Sequence, residues 1–133
     1  MPEIIQVSEA VSLALHGLGL LVSRKGRISI REMAAEMGVS EAHLAKVFQR
    51  LSKGGLVRSM RGPGGGFVLA KAPSDVTLYE VYSLIEGEPE VRICLLDCGK
   101  CPFRKCLFEG LLVKMKQEFV NFLRKKRLSD LEE

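Results

Sequence analysis

The chain has 133 residues, 47% hydrophobic and 27% charged, with a net charge of +4 and four cysteines. That is enough for one domain with a real core, and it excludes a disordered or fibrous chain. No stretch approaches about eighteen uninterrupted apolar residues and nothing at the N-terminus resembles a signal peptide, so the sequence predicts a cytoplasmic protein without a membrane partner.

The charge is unevenly placed. Between Arg24 and Lys71 there are ten Lys/Arg against three Asp/Glu, whereas from Val76 to the end there are ten of each. A basic excess confined to the first half is the electrostatic footprint of a nucleic-acid-binding face, although an ordinary solvated surface would give a similar count.

Val7 to Val22 reads as a helix, with Val7, Val11, Ala14, Leu15, Leu18 and Leu21 on one stripe. Ser8 is its expected N-cap and Glu9 suits the positive end of the helix. His16, alone on a mostly apolar helix, reads as structural. A basic turn, Arg24 to Arg27, follows.

Ser29 is placed to cap a helix carrying Met33, Ala34 and Met37; Gly38 breaks it, and Ser40 caps a second helix running to about Lys53. Ala34, Gly38, Leu44 and Val47 have the spacing of a helix-turn-helix: a small residue where two helices approach, a glycine in the turn, and two apolar residues fastening the second helix. Ser40, Glu41, His43, Lys46, Gln49 and Arg50 lie near or on the outward face of that second helix, where a base-reading helix needs donors and acceptors.

Leu56 to Met60 and Phe67 to Ala70 read as short strands joined by Gly62-Pro63-Gly64-Gly65-Gly66. With Arg58 and Arg61 beside it, this hairpin reads as the wing of a winged helix. Gly64 and Gly65 let its tip lie against a sugar-phosphate rail, and an arginine can enter the minor groove. A nucleotide-phosphate loop is disfavoured, because no Gly-Lys-Ser/Thr follows.

Thr77 to Glu86 is predicted as a helix capped by Thr77 that buries Leu78, Val81, Tyr82 and Ile85. All four cysteines, Cys94, Cys98, Cys101 and Cys106, then fall within thirteen residues. Disulfides are disfavoured by the predicted compartment and by the small rings they would close. Zinc suits four thiolates, but its modules usually set two Cys-x2-Cys knuckles well apart, and tetrahedral zinc holds its sulfurs only roughly 3.8 Å from one another. An iron–sulfur cluster is wider, and gaps of two to five residues suit its ligands. Spacing places the cluster ahead of zinc and leaves both open.

Leu107 to Lys126 reads as a long amphipathic helix, with Gly110 a weak point inside it. Its stripe of Phe108, Leu111, Leu112, Met115, Phe119, Phe122 and Leu123 is more apolar surface than a lone terminal helix can hide, and predicts a homodimer. The final acidic residues are expected to fray. The predicted fold is mainly α with a small β-hairpin wing. Residues 1–75 form a winged helix-turn-helix DNA-binding domain, and residues 76–133 form the cysteine loop and dimerisation helix.

From Ile28 to Gly87 the chain resembles the winged-helix regulator family that includes IscR, NsrR and CymR. The likeness rests on Gly54-Gly55-Leu56-Val57, Arg61-Gly62-Pro63-Gly64-Gly65-Gly66-Phe67, Pro73, Thr77-Leu78 and Ile85-Glu86-Gly87. It implies a dimeric regulator bound to two-fold-symmetric double-stranded DNA, with no catalytic residues and no small-molecule substrate. Members with cysteines between the helix after the wing and the last helix commonly carry an iron–sulfur cluster, and Cys94 to Cys106 occupy that interval. The resemblance therefore implies a cluster, four-iron ahead of two-iron, that senses redox, iron or nitric-oxide status.

Such members usually pair three cysteines with one other ligand. Cys94, Cys101 and Cys106 match the three, leaving Cys98 as the extra. In the nitric-oxide-sensing branch the other ligand is an acidic residue of the partner's first helix, and Glu9 stands at about that place. Thiolate suits iron better than carboxylate, which favours Cys98. The alternatives are the same DNA-binding fold with structural zinc or a thiol–disulfide switch, and a dithiol oxidoreductase on Cys98-x2-Cys101. No thioredoxin-like strand–helix pattern surrounds that pair.

Overall fold

The computed structural model describes residues 7–88, 102–105 and 107–131. Four helices open on the hydroxyl residues expected to cap them. Helix α1 (Glu9–Arg24) begins at Ser8, whose Oγ accepts from the Val11 amide at 3.2 Å. Helix α2 (Ile30–Met37) begins at Ser29, which accepts from the Glu32 amide at 3.1 Å. In α3 (Glu41–Lys53), Ser40 accepts from the His43 amide at 3.2 Å. In α4 (Leu78–Glu86), Thr77 Oγ1 accepts from the Glu80 amide at 3.1 Å. Each hydroxyl satisfies one of the amides that a helix start leaves unpaired.

Val11, Ala14, Leu18 and Leu21 of α1 are buried as predicted, whereas Val7 precedes the helix and is 53% exposed. Helices α1, α3 and α4 pack on one another around Leu18, Leu21, Leu44, Phe48, Leu51 and Val81. Gly38 closes α2 in the left-handed conformation, and α2 turns into α3 through Val39 and Ser40.

Strands β1 (Val57–Ser59) and β2 (Phe67–Leu69) form an antiparallel hairpin in the register Val57–Leu69, Arg58–Val68 and Ser59–Phe67. Ile28 adds a further rung. Its amide donates to the Phe67 carbonyl at 3.2 Å, and the Phe67 amide donates to the Ile28 carbonyl at 2.9 Å. The segment after α1 thus pairs with the wing, an arrangement the local sequence signals did not announce. Phe67 also meets Phe48 of α3 edge to face, centroids 5.3 Å apart, so wing and second helix share a packed joint.

Helix α5 (Leu111–Lys125) starts four residues later than predicted. Gly110, expected inside it, lies at its N-cap with φ of +82° and so does not weaken the helix interior. One face packs on α4: Leu112, Val120 and Leu123 are buried, and Phe119 meets Tyr82 edge to face at 5.8 Å. Arg124 lies over the Tyr79 ring at 4.5 Å. Beyond α5 the chain pairs with the entry to α4: the Leu78 amide donates to the Lys126 carbonyl and the Leu128 amide to the Val76 carbonyl, both at 2.9 Å. Leu128 is fully buried and Asp130 accepts from the Arg127 amide, so the tail is ordered through Leu131. Glu132 and Glu133, expected to fray, lie outside the described residues.

Candidate nucleic-acid interface

Helix α3 buries Leu44, Val47, Phe48 and Leu51 and turns its other side outward. Ala42, Lys46, Gln49 and Lys53 are exposed and spaced four, three and four residues apart, which sets them in one stripe along the helix. Lys46 and Gln49, both expected on the outward face, are on it. Ala42 and Lys53 extend the stripe at both ends; counting helical turns from the Ser40 cap would have found them. Glu41 is exposed in the first turn, and Ser40 is engaged as the cap.

Two of the expected contact residues stand on the flanks. His43 is partly buried, its Nδ1 3.7 Å from Glu9 Oε1 on α1. Arg50 donates through Nη2 to the Ile85 carbonyl at 2.5 Å and lies 3.5 Å from that of Leu84. Its guanidinium thus serves the open carbonyls at the end of α4, where a cation is favoured.

On the wing, Arg58 and Arg61 are exposed. Below the tip, the Met60 amide donates to the Gly66 carbonyl at 2.8 Å; the Gly65 amide closes the turn on the Gly62 carbonyl at 2.9 Å. Gly64 is exposed and Gly65 partly so. Gly66 has no alternative at its position: φ is +132°, and a Cβ there would stand 2.7 Å from Arg27 Cγ and 2.9 Å from the Ile28 carbonyl oxygen. Arg24, by contrast, pairs with Glu36, and Lys71 lies 3.6 Å from Glu80.

Cys94, Cys98, Cys101 and Cys106 lie outside the described residues, in the connection between α4 and α5. Glu9 is described: it sits in the first turn of α1, its side chain 73% exposed. Among the described residues no group of three or more His, Cys, Asp or Glu could hold a metal ion. No helix among them is long and apolar enough to cross a membrane. The described part of α5 carries a second apolar face beside the one packed on α4. Leu111, Met115 and Phe122 are 51%, 38% and 56% exposed, and Leu107 and Phe108 continue it at 65% and 43%.

A helix-turn-helix whose second helix presents a polar stripe, joined to a basic glycine-tipped hairpin, defines a winged-helix DNA-binding transcriptional regulator. The chain belongs to the Rrf2 family, described as iron-dependent transcriptional regulators, whose model matches residues 7–133. It is 32% identical over 111 residues to the HTH-type transcriptional regulator IscR of Klebsiella pneumoniae, covering 84% of this chain and 68% of that protein. Among solved structures it is similar to CymR, the global cysteine regulator of B. subtilis, with a TM-score of 0.80 and 25% identity over 96% of this chain and 95% of the other. It is also similar to IscR of T. potens, with a TM-score of 0.73 and 25% identity over 96% and 85%. The family and these relatives are transcriptional regulators, not enzymes.

Proposed function

We propose that this chain is a homodimeric regulator, acting as a repressor in the cytoplasm, whose affinity for two-fold-symmetric double-stranded DNA is set by an iron–sulfur cluster on Cys94, Cys98, Cys101 and Cys106. The observation that carries the DNA reading is the stripe Ala42, Lys46, Gln49 and Lys53 beside a wing bearing Arg58 and Arg61. In this reading the α3 stripe enters the major groove, with Gln49 and His43 toward base edges and Lys46 toward phosphate. Arg58, Arg61, Gly64 and Gly65 lie on the backbone or minor groove.

The exposed face of Leu111, Met115 and Phe122 supports the homodimer, since three large side chains at helical spacing suit a second copy of the same helix. Four thiols gathered between α4 and α5 fit iron by donor chemistry, in a chain whose family is described as iron-dependent. Cys94, Cys101 and Cys106 would supply three ligands and Cys98 the fourth, with the partner's copy of Glu9 as the alternative. A bound cluster supplies redox and ligand-exchange chemistry. The chain's own part is mechanical. The cysteines join the helix held by Arg50 to the helix carrying the exposed apolar face, so a change between them alters the spacing of the two reading heads. A differential stability of a few kcal/mol is enough to switch occupancy.

The likeness to CymR favours a second reading, the same fold with a thiol–disulfide switch; structural zinc is its companion. Anaerobic purification with a visible spectrum and iron, sulfide and zinc analysis separates the three. A brown protein that loses colour in C101S, C106S and C98S supports the four-cysteine cluster. Retention in C98S with loss in E9Q assigns the fourth place to Glu9. A colourless wild type with stoichiometric zinc, or with no metal and cysteines that pair on mild oxidation, removes the cluster reading.

A further inference from the structure

We infer that Arg27, which belongs neither to the recognition helix nor to the wing, is the cation of the wing tip and contacts the DNA backbone there. The inference rests on the docking proposed above and adds a residue to it. The tip, Gly62-Pro63-Gly64-Gly65-Gly66, has no charged side chain of its own. Arg27 precedes Ile28, which is buried and bonded to Phe67, so strand alternation turns Arg27 to the opposite side. Its stem crosses Gly66, where a Cβ would come 2.7 Å from Arg27 Cγ. Its guanidinium reaches the start of the tip: Nη2 lies 3.4 Å from the Pro63 carbonyl oxygen, and a Cβ on Gly62 would stand 3.1 Å from Nη1.

Three features separate this arginine from an ordinary surface charge. Two glycines, both with a φ that only glycine adopts readily, leave the room in which it lies. One weak bond to Pro63 occupies one of its five donors, and no carboxylate among the described residues pairs with it, unlike Arg24 beside it. The residue as a whole remains exposed. A guanidinium held at a tip that can approach a sugar-phosphate rail closely has the fork geometry that phosphate accepts.

The test uses the full-length protein and a duplex that the wild type selects from a random-sequence pool. R27Q removes the charge and keeps a polar side chain that can lie across Gly66; R27K keeps the charge and loses the fork; R61A is measured alongside. Arg27 as a backbone contact predicts that R27Q flattens the slope of log K against log salt by about 0.9 per protomer, while R27K keeps the wild-type slope. Thermal midpoints of both variants should match the wild type. An unchanged slope in R27Q with a flattened one in R61A overturns the assignment of Arg27 and leaves the docking intact. Equal flattening in R27Q and R27K also overturns it, because the effect would then come from the shape of the wing. Unchanged slopes in R27Q and R61A together overturn the wing docking itself.

Discussion

Arg50, near the end of α3, donates through Nη2 to the carbonyl oxygen of Ile85, 2.5 Å away in the last turn of α4. A helix that faces outward with one stripe is thereby fastened to the helix that leads into the cysteine-bearing connection. Gly54, which ends α3, lies against the same turn: a Cβ there would come within 2.4 Å of Leu84 Cδ2. The contact is with the end of a side chain, so a methyl at position 54 would be accommodated by a shift of Leu84 rather than by parting the two helices.

This fastening gives the first prediction. R50A should lower stability by about 1 kcal/mol, the net worth of a partly exposed hydrogen bond. G54A should cost at most about 1 kcal/mol, because Leu84 can shift, and that cost should vanish when G54A/L84A is compared with L84A. Urea unfolding checks all three. R50A should leave the salt slope of DNA binding unchanged; a slope flattened as in R61A would return Arg50 to the contact surface.

The second concerns the division of labour between wing and helix. R61A should flatten the salt slope by roughly one unit per protomer, because in the proposed docking it removes one cationic group from the DNA backbone. Replacing Gln49 or His43 should instead change discrimination between site variants, by about 1–3 kcal/mol for each hydrogen-bonded base edge that goes unread. His43 is held toward Glu9, so the larger effect is expected at Gln49. Identical behaviour of the wing and helix variants in both measurements would sink the docking.

The third distinguishes the two faces of α5. L111E with F122E should give monomers in sedimentation velocity and weaken binding to symmetric DNA, while urea unfolding of the protomer changes little. L112A should do the opposite, costing about 2–5 kcal/mol of protomer stability, since Leu112 is 5% exposed and packs within its own chain. Dimers of wild-type stability in the double variant would assign that face to something else.

A fourth prediction concerns alkaline stability. Burial, reinforced by the Glu86 carboxylate, pushes the Tyr82 phenol above its ordinary 10.0. The folded chain then holds this proton more tightly than the unfolded chain. The contribution is complete below about pH 10 and is lost as pH rises through the folded value. Unfolding measured across that range should show a decline that Y82F lacks. The same decline in Y82F would assign it to other groups.

The sequence marks helix starts well, because each is one hydroxyl side chain followed by an amide it can accept from: Ser8, Ser29, Ser40 and Thr77 all function so. The wing is equally plain, since few structures need that many glycines beside arginines. Where the reading slips, the cause is non-local or angular. Ile28 pairs with Phe67 across the chain, and no local pattern announces such a bridge. The apolar stripe of α5 merges two adjacent faces, one on Tyr82 and one outward, and periodicity alone does not tell which residues serve which. Lys116 shows the same limit: it is only 6% exposed, its stem packed on the inner face and its Nζ 5.8 Å from the Phe119 ring centre. The apolar run before α5 conceals that Gly110, at a positive φ, sets the true start.

The pairing of residues 126–128 with residues 76–78 ties the far end of α5 to the near end of α4, making a ring of chain with the cysteines on its arc. During synthesis the winged portion, up to Leu69, leaves the ribosome before any cysteine does, and the cysteines leave before Leu128 closes the ring. Folding in order of emergence closes this ring only after the winged portion is complete. Once closed, the ring holds α4 and α5 side by side whatever the connection between them binds.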